Sequence, residues 1–161
     1  MIEMNYCPVC QSELSREASA EGPVRLACSG VACQYVFWNN PTPVVAAIIE
    51  VEGQVMLVHH VGWPEKMLGL VTGFLEAVEH PDEAVRREIK EETQLDVDAL
   101  SFIGHYAFVE QNQLILAYHA RCSGSIVLNE ELDRFKMLSP EKLKPWALGT
   151  GPAVRDWLAQ R

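Results

Sequence analysis

From Pro43 onward the apolar residues gather into short runs, and the spacing inside each run points to an element. The run "VVAAIIEVEGQVMLVHH" (44–60) is mostly apolar, with Glu52-Gly53 near its middle. It reads as two strands joined by a tight hairpin turn, the first strand buried on both faces. "LGLVTGF" (68–74) is a shorter strand running into a glycine turn, and "LSFIGHYAFV" (100–109) and "QLILAYHARC" (113–122) are two more. Between them the period changes. Val85 and Ile89, four apart with Ala84 beside them, mark the inner face of a helix from Pro81 to Thr93. Pro81 suits a first helical position, and Glu83 is placed to reach back as the acid of a capping box. "SPEKLKPWAL" reads as a loop with one helical turn, and "GPAVRDWLAQ" (151–160) as a short amphipathic helix with Pro152 at its start. Strands first, then a helix between strands, predict an α/β fold: a mixed sheet with helices packed on it.

Residues 1 to 40 break this pattern. They carry little periodicity but four of the five cysteines, Cys7 and Cys10 in "CPVC" and Cys28 and Cys33 in "CSGVAC". Four thiolates suit tetrahedral zinc, which also stabilises a segment with too few apolar residues to fold alone. A disulfide framework is the rival reading, disfavoured in a reducing cytosol. Redox chemistry at Cys7 and Cys10 lacks a strand-then-helix context. The gap before Cys33 is the looser one, so Cys33 is the least secure ligand. The expectation is a small zinc ribbon over 1–40 and a main domain over 41–161. Cys122, on a predicted strand, reads as a core residue.

Composition narrows the partners. The 161 residues are 48% hydrophobic and 22% charged, as in ordinary globular proteins. A net charge of -9, from 22 acidic against 13 basic residues, argues against a general nucleic-acid binder. A small anionic substrate stays open if metal ions lie between it and the carboxylates. No apolar run reaches membrane-spanning length, and "MIEMNYCPVC" has neither the basic end nor the apolar run of a signal peptide. The expected location is the cytoplasm, with no membrane partner.

The helix over 81–93 sets Glu88, Glu91 and Glu92 on one face. Each like-charged pair there costs a few tenths of a kcal/mol. A solvated acidic face is the plain reading, but clustered carboxylates are also what Mg²⁺ or Mn²⁺ binds. The spacing decides between them. Gly73, Glu79, Arg87, Glu88, Ile89, Glu91, Glu92 and Leu95 fit the pattern G-x5-E-x7-R-E-U-x-E-E-x-G-U, U being a bulky aliphatic. The Gly, Glu and Arg matches arise by chance on the order of 10⁻⁵ per chain. This stretch resembles the Nudix box, and the surrounding strand order resembles the Nudix hydrolases over roughly 41–161. Three positions depart from the pattern: Gln94 and Val78 stand where the family has glycine, and Thr72 where many members have the first of a glycine pair. Gln94 falls where a left-handed backbone is common, so either it costs about 1 kcal/mol or the helix ends differently.

The resemblance implies an α/β/α sandwich with a mixed sheet, preceded by the zinc ribbon, and hydrolysis of a nucleoside diphosphate linked to another moiety. Glu88, Glu91 and Glu92 would hold Mg²⁺ or Mn²⁺, with Glu91 or Glu92 alternatively orienting the attacking water. Arg87 would pair with Glu79. Glu76 is within reach of the metals or is a plain loop acid; Glu131 or Glu110 is a candidate base or a surface acid. A zinc ribbon ahead of the box resembles the NADH pyrophosphatase-like branch. Its S-Q-P-W-P-F-P-x-S signature is missing from the corresponding stretch "GHYAFVEQNQL" (104–114). The implied substrate is therefore an ADP-linked compound (ADP-ribose, FAD or NAD(H)) releasing AMP, rather than NADH in particular. Trp38, Trp63, Tyr106 and Phe108 are candidates to stack on a base, though aromatics on strands are usually core. Of His59 and His60 only one can face a cleft. The alternatives are an RNA-end processing hydrolase using a local basic patch (Arg134, Lys136, Lys142, Lys144), a non-catalytic nucleotide sensor, and a zinc-ribbon adaptor. Family members are often dimers, so a homodimer is a further expectation. The substrate-binding residues are not assigned.

Overall fold

Little apolar side-chain area is available to the first forty residues, and their structure reflects it. The computed structural model describes residues 4–17 and 22–161; residues 1–3 and 18–21 of the expected N-terminal module lie outside them. Contacts divide the chain into two units, Met1–Asn40 and Pro41–Arg161. In the first, β1 (Leu14–Glu17), β2 (Arg25–Cys28) and β3 (Val36–Phe37) form an antiparallel sheet in that order. The weak periodicity had predicted none of these strands. Among the described residues of this unit only Cys7 and Ala27 are buried.

The second unit is built around β4 (Thr42–Val51), the apolar run expected at its centre. The turn to β5 (Gln54–His60) has both Glu52 and Gly53 at positive φ, 50° and 78°. Two positive φ values give the turn a twist that matches the strands it joins. Then follow β6 (Val71–Phe74), α1 (Pro81–Thr93), β7 (Asp96–Phe108), β8 (Gln113–Ser123), β9 (Leu132–Leu138) and α2 (Gly151–Ala159). The six-stranded sheet runs β7-β8-β4-β5-β9, with β6 on β4. β4 pairs parallel with β8, and its other edge is shared: Val44–Ala47 pair with β6 and Ile49–Val51 with β5. The sheet is therefore mixed, as expected.

Alternation along the strands makes the layers. Val45, Ala47 and Ile49 of β4 and Met56 and Val58 of β5 pack against Ala84, Val85 and Ile89 of α1. Ala46, Ile48, Val55 and Leu57 point the other way, onto Ala153, Val154 and Trp157 of α2. The result is the α/β/α sandwich.

Several boundaries differ from the expectation. β7 starts at Asp96 rather than Leu100, because its first residues pair with the end of β8. After Phe108 the chain leaves the strand for a 3-10 turn, Val109–Gln111. β6 begins at Val71, Gly69 making only an isolated bridge to Val58. β9 was not foreseen: "LDRFKML" lies at the sheet edge with Asp133, Arg134, Phe135 and Lys136 exposed, so no clean alternation marks it. The expected helical turn is the 3-10 turn Pro140–Lys142.

Candidate active site

The acidic residues are brought together by α1 and the strand that precedes it. His80 caps α1, its backbone N–H donating to Glu83 Oε2 at 3.3 Å, which is the predicted capping box. At the other end Gln94 adopts the left-handed conformation (φ 60°), so the helix closes as a glycine would close it. Its side-chain amide compensates in part by donating to Lys90 O at 3.0 Å.

Arg87 is the hub of the site. Its guanidinium donates to both oxygens of Glu79 at 2.8 and 3.0 Å, to Glu88 Oε1 at 2.6 Å, to Glu91 Oε2 at 3.1 Å and to the Phe74 carbonyl at 3.2 Å. Pairing with Glu79 was expected; the contacts with Glu88 and Glu91 were not. Arg87 thus offsets much of the repulsion that the sequence left to metals alone. Its hydrogen bonds hold the Glu79 carboxyl below the usual range. The Glu88 side chain lies over Gly73, where a Cβ would stand 1.9 Å from the Glu88 carboxyl carbon. A side chain at 73 would displace the Glu88 carboxyl.

Burial differs sharply among the three helix glutamates. The side chain of Glu91 is 56% exposed and that of Glu88 14%, while Glu92 as a residue is 2% exposed. Burial pushes the Glu88 carboxyl up against the pull of Arg87. Burial first, then the charges of Glu88, Glu131 and Glu91, push Glu92 up to about 8. Glu92 Oε2 has no hydrogen-bond partner among the described residues. A buried carboxylate oxygen without a donor is costly, and a cation is the natural partner for it. Glu88, Glu91 and Glu92 therefore fit a divalent ion in their chemistry. Their oxygens are not drawn into one tight group, however, as Arg87 holds two of the three.

A cleft of about 780 Å³ opens beside them. Glu76, Glu88, Glu91 and Glu131 line it, as do His60, Trp63 and Phe108. Glu131 is brought there by the segment after β8, whose Val127 and Asn129 N–H groups donate to the Thr93 and Glu92 carbonyls at the end of α1. Glu110, on the 3-10 turn, does not line the cleft, nor do Arg134, Lys136, Lys142 and Lys144. Tyr106 is outside it, donating to Asp156 at 3.0 Å, and Trp38 stacks with Arg25 in the N-terminal unit. His59 is buried and bonds Asp133, leaving His60 as the histidine on the cleft. Trp146, Leu148 and Met67 also line it and were not foreseen. Trp146, an aromatic in a proline-flanked loop, is the one whose setting could have been noticed.

In the N-terminal unit the four cysteine sulfurs lie within 4.8 Å of one another. The Cys7–Cys33 and Cys10–Cys28 separations are 3.7 and 3.3 Å, so these cysteines are unbridged. A zinc tetrahedron with Zn–S bonds of about 2.3 Å has edges of about 3.8 Å, and the cluster fits it. Cys33, the expected weak member, stands with the rest. Hydrogen bonds from Ser12 lower the Cys10 thiol to about 6, which favours the thiolate that a metal binds. Cys122 is buried in the other unit, and burial pushes its thiol up to about 12.

The family model of the NUDIX domain matches residues 40–158. The chain belongs to the NUDIX family. It is similar to the NAD-capped RNA hydrolase NudC of Vibrio atlanticus, 25% identical over 121 residues that make up 75% of this chain and 43% of that protein. With the NudC of Mycobacterium bovis it shares 31% identity over 77 residues, 48% of this chain and 25% of that protein. The chain thus spans less than half the length of either relative. Among solved structures, a NUDIX hydrolase from Nitrosomonas europaea superposes with a TM-score of 0.81 at 20% identity, covering 98% of this chain and 92% of that one. An ADP-ribose pyrophosphatase from Streptococcus suis gives 0.62 at 21% identity, covering 75% and 92%. At these identities the structural likenesses carry the fold alone.

Proposed function

We propose that this NUDIX protein is a divalent-metal-dependent pyrophosphohydrolase that cleaves an ADP-linked compound (ADP-ribose, FAD or NAD(H)) and releases AMP. The observation that carries the reading is Glu92: a buried carboxyl with an unpartnered oxygen, set on the helix beside two acids that line a cleft of nucleotide size. Glu88, Glu91 and Glu92 hold Mg²⁺ or Mn²⁺ in this proposal. Such an ion, when bound, neutralises charge on the pyrophosphate and makes a coordinated water more acidic. Arg87 ties the Glu79 turn to the helix and keeps Glu88 over Gly73, so the acids are positioned by the protein itself. Glu131, which lines the same cleft on another segment, is the candidate to orient the attacking water and take its proton, in preference to Glu110.

The adenylate part of the reading draws on the relatives' names, since NAD-capped RNA and ADP-ribose both carry an adenylate joined through a pyrophosphate. It also draws on the aromatic residues of the cleft wall. An RNA end is the second reading, favoured by the NudC relatives and opposed by the net charge of -9 and by a cleft wall without lysine or arginine. Zinc in the cysteine cluster has a structural role in the proposal. A reducing compartment suits that site, hence a cytoplasmic location; assembly as a homodimer follows the family's habit and is read by sedimentation.

The test is a hydrolysis panel of NADH, NAD, FAD, ADP-ribose, diadenosine polyphosphates, nucleoside triphosphates and NAD-capped RNA, with Mg²⁺ or Mn²⁺. AMP release from one dinucleotide is the expected result. Preference for the capped RNA moves the assignment to RNA ends. Binding without turnover on any member makes the protein a nucleotide sensor.

A further inference from the structure

The loop between β5 and β6, residues 61–70, supplies Trp63, Met67 and Leu68 to the cleft wall. Its ends are tied by the backbone. Val61 N–H donates to the Glu131 carbonyl at 2.8 Å, and Gly69 and Val58 exchange N–H to carbonyl bonds at 2.9 Å. Its middle is held by side chains of the sheet. His59 Nε2 donates to the Pro64 carbonyl at 3.3 Å, and Arg134 donates to the Glu65 carbonyl. The two donors face each other in register on β5 and β9. That register shifts between His59 and His60, and the neighbours part: His60 lines the cleft and His59 does not.

The protons on His59 follow from its partners. Nδ1 lies 2.7 Å from Asp133 Oδ1, and Nε2 faces the Pro64 carbonyl. A carboxylate and a carbonyl only accept, so both ring nitrogens must donate, and only the imidazolium has two N–H groups. A neutral ring loses one of these bonds. The side chain is 4% exposed, and Asp133 supplies the counter-charge that a buried cation requires. The other charged or titratable groups on the surrounding segments are Arg134 on β9, Glu65 and Lys66 in the loop, His60 and Glu131. Arg134 Nη1 lies 4.0 Å from Asp133 Oδ2. Burial lowers His60 from the usual imidazole range, which leaves His59 to carry the charge of the histidine pair.

We propose that His59 is a positioning residue: with both ring nitrogens protonated it holds the middle of the cleft loop, so substrate affinity depends on a proton that takes no part in hydrolysis. This rests on the nucleotide-hydrolase reading above. A loop already ordered when substrate arrives removes an entropic cost from binding. A loop released by the neutral ring must be ordered by the substrate, which raises KM while the acids on α1 keep their places.

The test reads hydrogen exchange in the full chain without Mg²⁺ or Mn²⁺. It follows the Trp63 and Met67 amides, which bond the His60 and Pro64 carbonyls at 3.1 and 2.8 Å. In wild type their protection is expected to fall about tenfold, the effect of one hydrogen bond, between about pH 5.5 and about pH 8.5, where histidine changes charge. His59→Gln, whose amide donates from the position of Nε2 and has no proton to lose, should be protected equally at both. His59→Phe should be unprotected at both, with β4 and β8 protected in every variant. With ADP-ribose and Mn²⁺, His59→Phe should raise KM about tenfold with kcat within about twofold, and His59→Gln should restore KM. Wild-type protection as indifferent to pH as that of His59→Gln, or loop protection in a folded His59→Phe equal to wild type, overturns the proposal. If His59→Phe does not fold, the contrast between wild type and His59→Gln decides alone. The two readings fail separately: no turnover of any substrate with the loop contrast intact sinks the hydrolase, and turnover without the contrast sinks the role of His59.

Discussion

The chain carries two sets of side chains suited to metal ions, and they are assembled in opposite ways. The four sulfurs are already gathered, with separations of 3.3 and 3.7 Å close to the edges of a zinc tetrahedron. The three helix glutamates are not: Arg87 holds Glu88 and Glu91, and Glu92 is buried with one oxygen unpartnered. A closed set of four ligands leaves no position for a substrate and suits structure. A set kept apart by an arginine and completed only on binding leaves room for water and phosphate. The surrounding protein follows the same division. The Pro41–Arg161 unit has two apolar clusters to hold it, whereas the described part of the N-terminal unit buries only Cys7 and Ala27.

The comparison is broken most severely by removing the zinc proposed for the four sulfurs. Structural zinc contributes on the order of 10 kcal/mol to folding in small domains. Chelation, or Cys7→Ser with Cys10→Ser, is therefore expected to abolish hydrogen-exchange protection in β1, β2 and β3 and to leave the amides of β4, β5 and β8 protected. Loss of protection in both units at once would mean that the sheet unit also depends on the sulfurs.

A smaller effect probes the oxygen site. Burial holds the Glu92 carboxyl at about 8 in the folded metal-free protein, against an ordinary value of 4.5. Between those values the folded state keeps a proton that the unfolded state has lost. The stability from this group is thus complete below 4.5 and disappears as pH rises through 8. Glu92→Gln, neutral at all pH, should melt several degrees higher than wild type at pH 8.5 without metal, with the difference shrinking toward pH 5. Mg²⁺ should stabilise wild type and not the variant. A pH-independent difference would show that Glu92 is not the titrating group.

The smallest effect lies in the turn that Arg87 anchors through Glu79. Val78 is fully exposed and sits at φ 63°, a conformation that a β-branched residue adopts at a cost. Val78→Gly should stabilise the protein by about 1 kcal/mol, read as a shift of the urea midpoint, or by less if the freer unfolded chain offsets the relief.

Much of the site was legible because its signals are local. The bounds of α1 follow from Pro81, the Glu83 cap and the Val85–Ile89 spacing, and the box places Glu79, Arg87 and the three glutamates by count alone. What stayed hidden depends on contacts distant in sequence. Helical periodicity puts Glu88, Glu91 and Glu92 on one face, but it does not show the segment after β8, whose amides bond the end of α1 and which brings Glu131 to the same cleft. β9 owes its existence to pairing with β5 rather than to its own pattern. Trp63 could be named as an aromatic, yet only the fold shows it lying where Gly69 has no side chain.

The central claim is that Glu92 completes a metal site on which hydrolysis depends. The most direct measurement is AMP release from ADP-ribose over a Mn²⁺ series, wild type beside Glu92→Gln, with folding of both checked by circular dichroism. The account predicts a wild-type rate that saturates with Mn²⁺ and a variant whose kcat is lower by about 100-fold or more at every concentration. A folded Glu92→Gln that reaches the wild-type kcat at saturating Mn²⁺ would contradict it.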